Sequence, residues 1–262
     1  MISRNTPTPT APRSHLANAR RLAVGFGVSL LLATVGLPAK LAAQSPEPAP
    51  PAVDGDQLGA WYMYFFTARF GEGPWGVQGD AQLRQWNLAG DLEQLLLRGG
   101  LTYRPEGFDG MLTLGYASIT TGQFGRDFDG TVHENRVYQE ALLPHRVAKR
   151  LLLAHRFRFE QRWNEGQDLR TRYRYMLFAN VPFNADALGE GVWHLALYNE
   201  LFVNGQRDIG DGRAVEYFDR NRTYAGIGYG IAEGLRVQLG AMRQTTNAWA
   251  KNQLQVSLHQ VW

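Results

Sequence analysis

The most regular hydrophobic pattern in the chain lies between Leu151 and Leu177, where apolar and charged residues alternate. Most odd positions carry Leu, Phe, Trp or Tyr, and the even positions on either side of a short polar break at 164–168 carry Arg or Glu. A period of two residues is typical of a β-strand with one apolar and one polar face. Arginines stacked on adjacent strands need water or carboxylates around them. The pattern therefore favours a transmembrane β-barrel, in which the outer face meets lipid and the inner face lines a polar lumen.

The same alternation recurs along the rest of the chain, in segments separated by turn residues. The predicted strands are Trp61–Phe70, Trp75–Asn87, Leu92–Arg104, Met111–Thr120, Glu134–Leu143, 150–163, 169–181, Trp193–Val203, Arg222–Ile231, Leu235–Gln244 and Leu254–Trp262. Bacterial single-chain barrels have even strand numbers, so we predict an antiparallel barrel of about twelve strands, with ten as the alternative. The sequence shows eleven segments, so a twelfth strand would lie near 205–219 or before Trp61. Segments 121–133 and 204–219 are predicted to be long extracellular loops, and a soluble periplasmic β-sandwich is the alternative fold.

Residues 1–43 have the three-part layout of a secretory signal peptide. A polar, arginine-bearing start precedes the apolar run 22–37, which is shorter than the ~20 residues of a membrane-spanning helix, and small residues follow. An uncleaved anchor is the alternative. Residues 44–59 are rich in Pro and predict a flexible tail on the periplasmic side, before a barrel domain at 60–262.

The basic character of the whole chain comes mostly from the predicted signal peptide. The 262 residues carry a formal charge of +3, but residues 1–43 hold five basic residues and no acidic ones. Without them, 22 basic residues stand against 24 acidic ones, a net charge of −2. A nucleic-acid partner therefore loses its main support. The absence of Cys excludes disulfides, thiolate metal sites and a Cys nucleophile.

Arginines dominate the face of the predicted strands that points into the lumen. The predicted lumen-lining network consists of Arg84, Arg98, Arg156, Arg158, Glu160, Arg162, Arg170, Arg172, Arg174, Glu200, Arg222 and Arg236. One hypothesis is a narrow pore that favours anions, because like charges concentrate counter-ions along a narrow path. The other is a structural network of Arg–carboxylate pairs that fills a small barrel and braces its wall. Glu160 and Glu200 are the expected partners of the arginines.

Candidate chemistry is sparse, and we predict no catalytic residue, metal site or cofactor. Ser257 and His259 lie two apart on a lumenal face, about 7 Å from each other and without a direct hydrogen bond. A membrane-embedded hydrolase or other lipid-modifying enzyme remains an alternative function. A surface binding or assembly protein that acts through its extracellular loops is another.

Aromatic residues cluster near the ends of the segments, as in the interfacial girdles of membrane proteins. The predicted girdle residues are Trp61, Trp75, Trp86, Tyr103, Trp163, Phe183, Trp193 and Trp249. Leu254, Val256, Leu258 and Trp262 alternate at the end of the sequence. They resemble the C-terminal signal of outer-membrane proteins, although Gln260 stands where an apolar residue is usual.

Four stretches together resemble a family of uncharacterised bacterial outer-membrane barrels, domain of unknown function 2490. They are HRFRFEQRW at 155–163, RTRYRYML at 170–177, YNELFVN at 198–204 and NRTYAGIGYGI at 221–231. The resemblance covers roughly 60–262 and implies a cell outer-membrane location, without a reaction, ligand or catalytic residue. We expect a monomer surrounded by outer-membrane lipid and lipopolysaccharide, with the barrel-assembly machinery as a partner during insertion.

Overall fold

The computed structural model describes residues 52–126 and 130–262; the predicted signal peptide and the first part of the Pro-rich tail lie outside them. The described residues form eleven β-strands. They are β1 Gly59–Arg69, β2 Trp75–Gln85, β3 Leu92–Tyr103, β4 Met111–Thr121, β5 Val132–Arg146, β6 Leu152–Asn164, β7 Arg170–Pro182, β8 Trp193–Asn204, β9 Phe218–Ala232, β10 Leu235–Thr246 and β11 Ala250–Val261. This part of the chain contains no helix that is long and apolar enough to cross a membrane.

The sheet closes on itself, which confirms an all-β barrel and rules out the two-sheet sandwich. Strands that are neighbours in sequence pair antiparallel, whereas β1 and β11 pair in parallel, from Gly59 opposite Gln253 to Thr67 opposite Val261. The predictions of twelve or ten strands are wrong, since the eleven segments seen in the sequence are the eleven strands. With an odd number of alternating strands, the first and last run the same way, and one parallel pair closes the barrel.

The parallel closure also places the start of β1 and the finish of β11 at opposite ends of the barrel. We call the end where β1 begins the proximal end and the other the distal end. The connection between β4 and β5 leaves and re-enters the sheet at the proximal end, where connection 205–217 and residue 59 at the start of β1 also lie. A periplasmic tail leading into β1 and extracellular loops at both connections, each expected from the sequence, are therefore incompatible with each other.

Side chains alternate between the lumen and the outer surface along each strand. In β4 the buried and exposed residues alternate without interruption from Met111 to Ile119. Leu114 is 59% exposed on the outer surface, whereas Gly115 faces inward, where a Cβ atom would collide with the ring of Tyr138. The barrel wall therefore has an apolar outer face, and glycine on the inner face makes room for large side chains.

The aromatic residues predicted to form a girdle fall into exposed and buried groups. Trp75, Trp163 and Trp193 are about half exposed on the outer surface. Trp61 and Trp86 are buried, so their assignment to the girdle is wrong. Trp61 belongs instead to an interior cluster with Ala196, Tyr224 and Met242, and Trp86 packs at the proximal end against Phe124 and Trp249.

The final strand keeps the predicted alternation. Leu254, Val256 and Leu258 share its outer face and are partly exposed, while Gln253, Gln255 and Ser257 point inward and are buried. Trp262 follows the strand and is 65% exposed. Its carbonyl oxygen accepts a bond from the backbone N–H of Arg69, which extends the closing pair to the distal end.

Candidate functional site

The inner face of the barrel carries a continuous network of arginines and carboxylates. Of the twelve residues predicted to line the lumen, nine take part in ion pairs: Arg98, Arg156, Arg158, Glu160, Arg162, Arg172, Arg174, Glu200 and Arg222. The other three, Arg84, Arg170 and Arg236, also lie inside the barrel but have no carboxylate within 4.0 Å among the described residues. The two adjacent strands β6 and β7 supply most of the set, because their even positions all point inward.

Glu160 is the centre of this network and is 1% exposed. Its carboxylate accepts hydrogen bonds from Arg172 at 2.7 Å and from Arg174 at 2.6 Å. The guanidinium groups of Arg158 and Arg136 lie at 3.8 and 3.9 Å. Four positive charges around one buried carboxylate make it the group on which the packing of these arginines depends.

Glu200 and Glu140 extend the network along the lumen toward the distal end. Glu200 accepts hydrogen bonds from Arg174 at 2.5 Å and from Arg156 at 2.7 Å. Glu140 accepts one from Arg158 Nε at 2.6 Å and one from the amide of Gln78 at 2.9 Å. The contact with Gln78 joins β5 to β2, three strands away in the sheet, and so reaches across part of the lumen.

The network also contains residues that the predicted set lacks, among them Glu134, Arg136, Asp219 and Arg220. Glu134 accepts bonds from Arg136 and Arg162, both at 2.5 Å, and has the same parity on β5 as the inward Glu140. The even spacing between the two residues could therefore have identified Glu134 as an inward-facing residue. Asp219 pairs with Arg172 at 2.6 Å and with Arg220 at 3.1 Å. Its neighbourhood could not be assigned from alternation, because a bulge shifts the register of β8 and β9 at Phe202 and Val203.

Aromatic rings separate the guanidinium groups from one another. Phe202 is 1% exposed, and its ring lies beneath Arg174 at 4.4 Å and Arg222 at 4.7 Å. The ring of Trp61 lies beneath Arg84 at 3.8 Å and, again, Arg222 at 4.7 Å. An arginine over an aromatic face gains cation–π attraction, which is strongest where the pair is shielded from water.

The lumen retains a cavity of about 330 Å³ from the level of Trp61 toward the distal end. Its wall combines aromatic side chains such as Tyr138 and Tyr198 with arginines such as Arg156 and Arg236. The Nε atom of Arg236 is buried without a hydrogen-bond partner. The cavity is therefore amphipathic, with positive charge at both its inner end and its distal end.

Ser257 and His259 face this cavity and are in contact. The Ser257 hydroxyl and the His259 Nε2 atom are 3.0 Å apart, so the prediction of no direct hydrogen bond is wrong. The side chains lean toward each other, which closes the spacing expected for neighbours on one strand face. His259 stacks on Phe65 with ring centroids 4.8 Å apart. The pair points into the lumen, away from the outer surface.

The proximal end of the lumen is covered by polar contacts and by the Trp86, Phe124 and Trp249 rings. Lys251 is fully buried and donates hydrogen bonds to the backbone carbonyl oxygens of Asp54, at 2.9 Å, and of Gln57. The segment before β1 therefore lies over the proximal opening. Among residues 52–126 and 130–262, no three His, Asp or Glu side chains are grouped as metal ligands.

Comparison with known proteins gives one match. No curated protein and no solved structure is significantly similar to the chain. A family model described as "Protein of unknown function (DUF2490)" matches residues 58–255, which run from the start of β1 to the middle of β11. The match covers more than half of the chain and most of the barrel, as the motifs at 155–163 and 221–231 predicted. The chain therefore belongs to the DUF2490 family.

Proposed function

We propose that the chain is an integral outer-membrane barrel whose lumen is closed to steady ion flow by its own side chains and favours anions in the space that remains. The outer surface supports the membrane setting. Large apolar side chains are exposed on the strands around the barrel, such as Leu97, Leu114, Tyr173 and Leu239, each more than half exposed. A continuous apolar face of this kind is unfavourable in water and favourable in lipid.

The observation that carries the proposal is the packing around Trp61. This ring, 2% exposed, packs with Ala196 on β8 and Tyr224 on β9 and donates a 2.8 Å hydrogen bond from Nε1 to Glu93 on β3. A side chain from β1 thus contacts groups from both sides of the lumen. Together with the network around Glu160, this packing fills much of the lumen between the two ends, which is the basis for proposing that the barrel does not conduct.

The charges that remain in the lumen favour anions over cations. Arginines outnumber carboxylates on the described inner face, and most of these carboxylates, such as Glu140, Glu160 and Glu200, are already engaged by guanidinium groups. A cation entering this space would meet unneutralised positive charge, whereas an anion would find hydrogen-bond donors.

Planar-bilayer recording tests this proposal. The refolded wild type should insert without steady current, because the packed lumen blocks the path. Trp61→Ala removes the ring at the packed level and should pass a current that a salt gradient shows to be anion-selective. Trp193→Ala, which removes a half-exposed Trp from the outer surface, is the matched control and should stay silent. A steady wild-type current would overturn closure, and cation selectivity in Trp61→Ala would overturn the anion preference.

A further inference from the structure

A second, smaller cavity lies in the proximal half of the lumen, next to the first. Its volume is about 40 Å³. Beside Gln94, Leu96 and Phe202, its wall consists only of arginines. They are Arg84, Arg98, Arg136, Arg162, Arg172, Arg174, Arg220 and Arg222. Eight guanidinium-bearing side chains around so small a space are an unusual concentration of buried positive charge.

The carboxylates near this cavity are too few to neutralise it. Five pair with these eight arginines in the described part of the chain: Asp80, Glu134, Glu160, Glu200 and Asp219. The excess is three positive charges. Glu93 reduces it to two if included, although its Oε2 atom is engaged by Trp61 and Gln253. An uncompensated charge in a dry interior is strongly unfavourable.

The excess is concentrated at Arg84 and Arg222. Arg84 is 5% exposed, and within residues 52–126 and 130–262 it donates only to neutral amide oxygens, of Gln82 at 2.7 Å and of Gln94 at 2.8 Å. Arg222 is also 5% exposed and donates to the Gln244 amide oxygen at 2.6 Å; the nearest carboxylate, that of Glu200, is 3.8 Å away. Both guanidinium groups lie over the ring of Trp61. Two like charges thus lie against one indole ring, and among the described residues their hydrogen bonds go to neutral amides.

We propose that this cavity binds one small inorganic oxyanion of the phosphate or sulfate class, held chiefly by Arg84 and Arg222. Guanidinium groups present paired N–H donors that match the oxygens of such an anion. A cavity needs roughly 10–15 Å³ to hold one water, so about 40 Å³ has room for one compact oxyanion. The anion supplies the negative charge that the neighbouring carboxylates do not.

The larger cavity provides the route to this site. Arg84, Arg98, Arg174 and Arg222 line both cavities, so the two adjoin at these side chains. Arg236 lies at the distal end of the larger cavity and carries no paired carboxylate. An anion entering from the distal end would therefore meet arginines at both ends of the larger cavity. The inference rests on the proposed function for its setting inside a membrane barrel, but not on the absence of ion flow.

Isothermal titration of the folded, detergent-solubilised barrel with sodium phosphate and with sodium sulfate tests the site, at an ionic strength held constant with sodium gluconate. We expect saturable binding of one anion per barrel. Arg84→Gln and Arg222→Gln should each weaken it by about 10- to 100-fold, as expected for loss of a charge-assisted hydrogen bond. Arg243→Gln changes an exposed arginine on the outer surface of β10 and should leave the affinity unchanged.

Two results would overturn the site. One is the absence of saturable binding to the wild type, which needs no variant to fold. The other is an affinity that is the same in Arg84→Gln, Arg222→Gln and Arg243→Gln, which would mean that anions bind elsewhere. The titration measures anion binding and not current. A wild type that conducts ions would therefore contradict closure of the lumen but not the oxyanion site.

Discussion

Replacing Glu160 with Gln should be among the most costly single changes in the barrel. The substitution preserves the size of the side chain and one acceptor oxygen. It removes the negative charge that Arg172 and Arg174 contact at 2.7 and 2.6 Å, and that Arg158 and Arg136 approach within 4.0 Å. Because the site is 1% exposed, water cannot take over the lost interaction.

The magnitude follows from burial and from the number of partners. Removing one member of a buried ion pair costs about 3–5 kcal/mol, since the remaining charge is left uncompensated. Glu216 offers a matched control, because it pairs with Arg207 at 3.0 Å but both side chains are more than half exposed. Exposed pairs contribute about 0–1 kcal/mol. We therefore expect Glu160→Gln to lower the free energy of unfolding by about 3–5 kcal/mol and Glu216→Gln by less than about 1 kcal/mol.

Urea unfolding of the barrel in lipid vesicles, followed by tryptophan fluorescence, measures both values from the midpoint and slope of the transition. Combining Glu160→Gln with Arg172→Gln removes one of the stranded positive charges. The free energy of unfolding of the double variant should therefore fall by less than the sum of the two single decreases, with a difference of about 0.5–3 kcal/mol. Equal losses for Glu160→Gln and Glu216→Gln would refute the view that the network stabilises the barrel through buried charge pairing.

Two further predictions concern the outer surface and the two ends. Leu114→Arg puts a charge in the middle of β4 on the proposed lipid face and should cost about 2–4 kcal/mol in the same urea assay; a loss near zero would contradict lipid contact there. Since the native chain has no Cys, single cysteines can report accessibility to a membrane-impermeant maleimide on intact cells. Asp56→Cys and Asp211→Cys lie at the proximal end, so either both or neither should be labelled. Glu106→Cys lies at the distal end and should be labelled only if the other two are not. Labelling of only one of the first two would contradict the parallel closure.

The strands could be read from the sequence because the barrel imposes a period of two along its whole length. The segment predicted at Leu92–Arg104 is strand Leu92–Tyr103, and the inward position of arginines on β6 and β7 followed from parity alone. Closure could not be read in this way. The pairing of β1 with β11 joins residues at the two ends of the domain, and its parallel direction follows from an odd strand count that the even-number rule for bacterial barrels led us to reject.

The interior contacts were predictable by residue type but not by partner. Parity placed Arg84 in the lumen, yet it could not show that its hydrogen-bond partners would be amides rather than carboxylates. Trp61 was assigned to the surface because aromatic residues at strand ends are common in girdles, and its hydrogen bond to Glu93 depends on three-dimensional packing. The contact between Ser257 and His259 depends on rotamers, which strand spacing alone does not fix.

The parallel pair has a consequence for the order of folding. Neighbouring hairpin strands are joined by short connections, whereas β1 and β11 must meet across about 190 residues of intervening chain, which adds about 3 kcal/mol of loop-closure entropy relative to a hairpin. This pair is therefore expected to form last. Before it forms, the chain is an open ten-pair sheet with two free edges, Gly59–Arg69 and Ala250–Val261, that point in the same direction. Free edges bind other strands. The nascent sheet can therefore pair with an insertion factor or with a second copy of the chain, in parallel or antiparallel orientation. Strand exchange between copies becomes impossible once the two edges have paired with each other.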